Sequence, residues 1–520
     1  MARYRRPWRG RVTAGPGHAH WQLVPGAGML DSCVGLWEAV RRAAQQTVPA
    51  DAVPTMPGSS LAGSALDLRR DVLAFMDRCR DSGHDLVRAR LGPAILGQEV
   101  YVVSHPDGIQ QVLTDRRLTK QTPAYRDVAA TFGDGLLTLD GEDWERHRRI
   151  VQPQFTARRV AGFVPEMDEE ARDLVRRLAR SAASSAAGSS AGPVTAVDLV
   201  PHAIRYTLRV VGRVVFGTDM GEVAEVVERQ VPVVNRRLNG RALAPVHLPR
   251  WVPTPSQRRY KAARDEVCSA VDAVVARSGR GLPDGSSDLV SLLVHATDPR
   301  TGRGLSAEEV RAEALIFVLA GYETTSTALV ATLHLLGSHP QWQERVRAEA
   351  QEVLGSVEER GGPVTAADVE RLSWAGRCVQ EGLRLYAAAP AVARVGPPGT
   401  SVLGHALPAG AHIFVPIWSV HRDPRWWPEP ERFDPARFEP DAVATRHRYA
   451  WLPFGGGPRA CIGTQFAMLE ATLAVARVVS AFDVVTPPRP PRVVSEIALR
   501  FAEPVPATLT PRPDRQNRPA

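Results

Sequence analysis

The chain has 520 residues, 44% of them hydrophobic and 6% aromatic, and carries a formal charge of +8. Its length exceeds the usual single-core size, yet no internal repeat and no linker between two cores is visible, so one large folded unit is expected. The charge excludes less than it suggests: residues 1–12 hold five arginines and no acid, residues 509–520 three arginines and one aspartate, and the body is left near +1 (8 − 5 − 2). With no aromatic interleaving for base stacking, a nucleic-acid partner is not expected.

In chain order, the basic start Met1–Arg11 is followed by no apolar segment, so no signal peptide is expected. Residues 1–55 read as a poorly ordered N-terminal extension, residues 56–510 as the folded unit and residues 511–520 as a basic tail. Short strands are predicted at Leu86–Leu91, Glu99–Ser104, Thr400–Leu403 and His412–Pro416. Trp144-x-x-x-Arg148 sets an indole N–H and a guanidinium on one side of a helix, both donors suited to a carboxylate. Between them, His147 reads as part of a solvated basic face with Arg146 and Arg149. The low-complexity stretch Ser181–Gly192 and the segment Ser278–Ser287 read as surface loops.

A long apolar helix opens at the capping box Ser306-x-x-Glu309 and stops before Pro340. At its middle lies Ala320-Gly-Tyr-Glu323-Thr324-Thr325, an acid beside an alcohol that is costly to bury without purpose. Gly321 gives room for a local distortion of that helix. The bland alternative is a Thr bonding back to its own helix with the Glu at the surface. Further on, Glu381-Gly-Leu-Arg384 places an acid and a base one helical turn apart, and Pro430-Glu-Arg432-Phe433 follows it.

The most specific feature is Phe454-Gly-Gly-Gly-Pro-Arg459-Ala-Cys461-Ile-Gly463, followed by a helical pattern over 464–479. A pattern of this kind arises by chance in roughly one chain in several thousand. Three glycines let the loop run close to a flat cofactor. Cys461 sits at a helix N-terminus whose free N–H groups favour a thiolate. Phe454 can shield the sulfur from water, and Arg459 can neutralise a carboxylate. The five cysteines, Cys33, Cys79, Cys268, Cys378 and Cys461, are too scattered for a disulfide framework or a C-x-x-C zinc site and suit a reducing cytoplasm. No run reaches the roughly twenty apolar residues of a membrane span.

The W-x-x-x-R spacing, the Glu323-Thr324 pair, the E-x-x-R motif and the Cys461 loop, in this order along the chain, make the sequence resemble the cytochrome P-450 family over roughly residues 60–510. The resemblance implies a mainly α fold with a small β region and a long central helix over a heme b (iron protoporphyrin IX). It implies Cys461 as proximal iron ligand, and Glu323 and Thr324 as the pair that helps deliver protons during O2 activation. Trp144, Arg148, Arg394 and Arg459 become partners of the heme carboxylates, and Ala320, Phe454 and Gly463 neighbours of the ring. Glu381, Arg384 and Arg432 become a buried network holding the proximal side, and Ala387, Ala388, Pro390, Ala391 and Val392 a wall of the substrate pocket. Parts of 117–137 and the stretch near Ile497 join that wall. A departure lies at Ala387, where the family commonly has proline.

The function so implied is a cytoplasmic, bacterial-type, monomeric heme-thiolate monooxygenase of secondary metabolism, inserting one oxygen atom from O2 into an apolar molecule. With no flavin or iron–sulfur motif in the chain, electrons from NAD(P)H would arrive through a ferredoxin and its reductase. Alternatives are a peroxide-driven oxygenase, a heme-thiolate isomerase and a heme-thiolate gas sensor. The Glu323-Thr324 pair weighs against the first two, and the absence of an output module against the third.

Overall fold

The computed structural model describes residues 48–93, 97–187, 196–217, 221–242, 252, 254–278 and 288–512. These form a helical body with a small sheet at one side. The helices that matter for the site are α1 (Pro106–Thr114), α2 (Pro123–Phe132), α3 (Gly141–Val151), α4 (Val164–Ala187), α5 (Leu199–Phe216), α6 (Gly221–Ala242), α7 (Pro255–Ser278), α8 (Ala307–Ser338), α9 (Ser373–Leu385) and α10 (Thr464–Ala481).

Helix α8 is the axis of the fold. Ser306 caps its start by accepting from the Glu309 N–H, while the Glu309 side chain accepts from the Ser306 N–H, and His339 before Pro340 ends it. It is the one described helix long and apolar enough to cross a membrane, but 72% of its apolar window is buried inside the protein. A helix apolar all round belongs in a core, and α5, α9 and α10 pack around it. The Thr207 hydroxyl on α5 reaches across to the Tyr322 carbonyl at 3.1 Å. Gly321 fits this packing: a Cβ there would lie 2.8 Å from Val211 Cγ2 of α5. The helix runs through Gly321 without a break, so the glycine serves close helix approach and not the distortion expected.

The sheet joins β1 (Leu86–Leu91), β2 (Gln98–Val103), β3 (Val392–Gly396) and β4 (Ala411–Val415) in the order β1-β2-β4-β3. Tyr101 pairs with Ile413 in the parallel contact, and Ile413 with Arg394 in the antiparallel one. Three of the predicted strands are β1, β2 and β4, shifted by at most one residue. The fourth shrinks to Ser401–Val402, paired with His405–Ala406 across a turn whose residues Leu403 and Gly404 have φ of 50° and 79°. β3, which carries Arg394, is not among the predicted strands, nor is the sheet formed by Val197–Asp198, Phe482–Val485 and Pro506–Pro511.

One loop expectation changes. Helix α4 continues through Ser181 to Ala187, since alanine and serine runs tolerate helix where one face is held. Residues 188–195 and 279–287 lie outside the described residues, as does 1–47. The packed unit starts at Pro49, ahead of the expected boundary, because Val53 is buried in the core and Thr55 bridges to Arg88. At the other end, Pro511 still pairs with Phe482.

Candidate functional site

A cavity of about 580 Å³ lies between α8 and the loop that precedes α10. Ala320, Gly321, Thr324 and Thr325 form one wall, and Phe454, Gly455, Arg459, Ala460, Cys461 and Gly463 the opposite one. The Cys461 sulfur has free surface, yet protein surrounds it, so that surface faces the cavity. The Cys461 N–H donates to the Phe454 carbonyl at 2.8 Å, closing the loop. Burial pushes the thiol upward. The Gly463 N–H, the Thr464 hydroxyl, Arg148 and Lys120 oppose it and favour a thiolate.

The glycines of this loop do a different job from the one expected. A Cβ on Gly457 would lie 2.0 Å from the Leu113 carbonyl of α1, and one on Gly456 2.8 Å from the Tyr449 ring. Both make room for the protein's own backbone and rings. Only Gly455, with φ of 69° and nothing within 4 Å, presents open space.

At one end of the cavity, Lys120, Arg148, Arg394 and Arg459 converge. Asp140 is the carboxylate among them: it pairs with Arg459 and accepts from the Lys120 N–H at 2.9 Å. Arg459 also donates to the Leu139 carbonyl at 2.8 Å and lies over the Trp144 ring at 4.3 Å. Burial, with Arg394 and Arg459 nearby, pushes the Lys120 ammonium down to about 7. Burial likewise lowers Arg394 and Arg459. So much enclosed positive charge against one carboxylate calls for a polyanion. The two carboxylates of a heme would satisfy that demand and Cys461 would hold its iron, so the residues present fit the group.

Trp144, Arg148, Arg394, Phe454, Arg459, Gly463, Ala320 and Thr324 all line the cavity, as do Ala388, Pro390, Ala391 and Val392. Lys120, Tyr125, Leu136 and Ile497 line it as well, from the regions named in the sequence. Ala387 does not: it is fully buried in the core beside the sheet, one residue before the chain turns toward the cavity.

Glu323 also departs from expectation. Thr324 faces the cavity, but one step along a helix turns a side chain by about 100°, and Glu323 points into the protein. Its oxygens accept from Asn235 Nδ2 of α6 at 3.1 and 3.2 Å. Burial pushes its carboxyl up to about 7, against the Asn235 hydrogen bond and Arg500, with Glu496 adding to the rise. Thr324 Oγ1 meanwhile donates back to the Ala320 carbonyl at 2.6 Å.

Behind the sulfur-bearing loop, Glu381 and Arg384 are fully buried and joined by two hydrogen bonds of 2.7 and 2.8 Å. Arg384 also donates to the carbonyls of His421, Pro430 and Arg432. Arg432 thus enters through its backbone alone. Its side chain is 58% exposed and pairs with Glu429, because the chain turns outward after Pro430. Arg437 takes the place expected for it, with Nε 3.5 Å from Glu381.

His147 is not on a solvated face. It is 1% exposed, with Nδ1 2.6 Å from the equally buried Glu313 of α8. Glu313 also accepts from the Leu136 N–H at 2.8 Å, and Arg146 pairs with Glu309. These contacts fix α3, and with it Trp144 and Arg148, against α8. Asn235, Glu313 and the cationic role of Lys120 within the region 117–137 are what sequence reasoning missed. Of these only Lys120 left a trace, as one of two lysines in the chain.

The chain matches the cytochrome P450 family over residues 54–506. This chain belongs to the cytochrome P450 family. It is 32% identical over 428 residues to cyclooctat-9-en-7-ol 5-monooxygenase of Streptomyces melanosporofaciens, covering 82% of this chain and 88% of that one. It is 34% identical to cyclooctatin synthase of the same organism, over 81% and 87% of the two chains. Among solved structures, the heme domain of cytochrome P450DA superposes with a TM-score of 0.75 at 26% identity, covering 90% of this chain and 98% of that one. This P450 is accordingly a heme enzyme and an oxidoreductase of the monooxygenase class.

Proposed function

We propose that this P450 oxygenates a polycyclic, terpenoid-sized molecule, drawing electrons from NAD(P)H through a ferredoxin and its reductase in the cytoplasm. The supporting observation is the wall opposite Cys461. Its lining is mostly apolar, with Thr324, Thr325, Asn239, Ser495 and Glu496 among the polar members, and is widened by the small side chains Ala388, Ala389 and Ala391. Two relatives carry names from the oxidation of cyclooctat-9-en-7-ol and the synthesis of cyclooctatin, which supports the terpenoid class.

Heme held by Cys461 would supply O2 activation, helped by the electron density of the thiolate. The chain's own residues supply the rest. Lys120, Arg148, Arg394 and Arg459 bind and orient the cofactor's carboxylates, and Trp144 packs beneath Arg459. Phe454 excludes water from the sulfur. Thr324 holds a hydroxyl at the distal wall. Glu323, poised near neutrality and tethered by Asn235, holds a proton one residue behind it, where a side-chain rotation would bring the carboxyl toward Thr324.

The test is reconstitution with ferredoxin, its reductase and NADPH against a panel of cyclic diterpenes and, for contrast, fatty acids. Oxygenated diterpene is the predicted product. Oxidation driven by peroxide but never by the electron-transfer chain would refute the role given to the carriers, and oxidation of the fatty acids alone would refute the substrate class.

A further inference from the structure

A second cavity of about 240 Å³ lies between α2, α6 and α7, outside the site described above. Its walls carry Arg237, Arg241, Lys261 and Arg264, against Asp127 as the lining acid. Asp127 accepts from Arg241 Nε at 3.1 Å, and Arg264 pairs with Asp265. Setting both acids against the four cations leaves two positive charges. Arg237 is half-buried. Its Nη2 donates to Gln257 at 3.0 Å, while its Nε is buried with no hydrogen-bond partner among the described residues. A guanidinium N–H enclosed without an acceptor is costly. Burial and the neighbouring Arg241 both work against the charge on Arg237. An anion in this cavity would relieve the unmet donor and the mutual repulsion together.

The ligand's chemistry follows from these donors. Planar guanidinium forks and one ammonium around a small cavity suit a carboxylate or a phosphate. Leu238, which lines this cavity, also lines the main one, so the two cavities adjoin at this buried side chain. Asn235, the partner of Glu323, lies on the same helix one turn earlier. We propose that this cavity is an oxyanion-binding site, taking a carboxylate or phosphate group. The source of that group is either the charged end of a substrate whose apolar body fills the main cavity or a separate small ligand.

Isothermal titration of the heme-loaded protein with inorganic phosphate tests the site directly. A saturable isotherm is expected, weakened about tenfold in Arg237→Gln and in Lys261→Gln. Lys261 is exposed, so its variant folds normally and keeps the test decisive even if Arg237→Gln does not. Dodecanoate and its methyl ester, titrated against the ferric heme spectrum, separate the sources. Phosphate that competes with dodecanoate but not with the ester identifies a substrate end, and phosphate that binds without affecting either identifies a separate ligand. No phosphate isotherm, or one unchanged in Lys261→Gln, would overturn the site. Neither result bears on Cys461 or on the monooxygenase class.

Discussion

Two buried glutamates lie on opposite sides of this cavity in opposite circumstances. Glu381, behind the sulfur-bearing loop, is bonded twice to Arg384 and accepts from the Asp434 N–H at 2.9 Å. Glu323, behind the distal wall, has one amide donor, Asn235, and a carboxyl pushed up to about 7. The first is locked in a network with few spare valences. The second is a group held close to its titration point. The difference lies in the neighbours: burial pushes both carboxyls up, but at Glu381 an adjacent guanidinium bonded twice and the Asp434 N–H oppose the rise, whereas Glu323 has a neutral amide and the charge of Arg500. The proximal side is thereby built to hold shape, and the distal side to exchange a proton.

Breaking the rigid side carries the largest expected effect. Glu381→Ala leaves the fully buried Arg384 without its carboxylate and should cost about 3–5 kcal/mol, read by chemical denaturation and by loss of heme-loaded protein. Glu323→Gln should do the reverse at high pH. The wild-type carboxyl is protonated in folded and unfolded chains below about 4.5, but up to about 7 only in the fold. The folded state therefore binds more protons across that window, and its stability falls as pH rises through it. The variant lacks this loss, so its advantage should grow from nothing near pH 4.5 to about 3 kcal/mol above pH 7. Denaturation at several pH values measures it, and an advantage independent of pH would contradict the assignment.

His147→Ala removes a buried partner of Glu313 and should cost about 1–3 kcal/mol. Because α3 carries Trp144 and Arg148, heme should also dissociate faster, which transfer to apomyoglobin would report. Arg432→Ala should lie within about 0.5 kcal/mol of wild type, since only its carbonyl serves the network. A loss as large as that of Glu381→Ala would restore the side chain to the role that the sequence suggests for it.

What was legible in the sequence was local. The capping box, the proline that stops α8, and the Cys461 loop before α10 are all set by residues a few positions apart, and the structure follows them. Trp144, Arg148, Thr324, Phe454, Arg459 and Cys461 line the cavity from such local motifs, whereas Glu323 and the E-x-x-R pair do not. Contacts across the fold left no local mark. Asn235 meets Glu323 over 88 residues, and His147 meets Glu313 over 166. The basic run Arg146–Arg149 looked solvated because its acids, Glu309 and Asp298, lie far along the chain. Arg432 and Arg437 could not be told apart without knowing where the backbone turns outward. The loop glycines were read correctly as a need for space, but the space goes mostly to α1 and Tyr449.

The central claim, that Cys461 holds a heme iron as thiolate at this cavity, is tested most directly by the carbon monoxide difference spectrum of the dithionite-reduced protein, wild type against Cys461→Ser. The account predicts a strongly red-shifted Soret band in the wild type that vanishes in the variant. A wild-type protein that is folded and loaded with heme but lacks that band would contradict it.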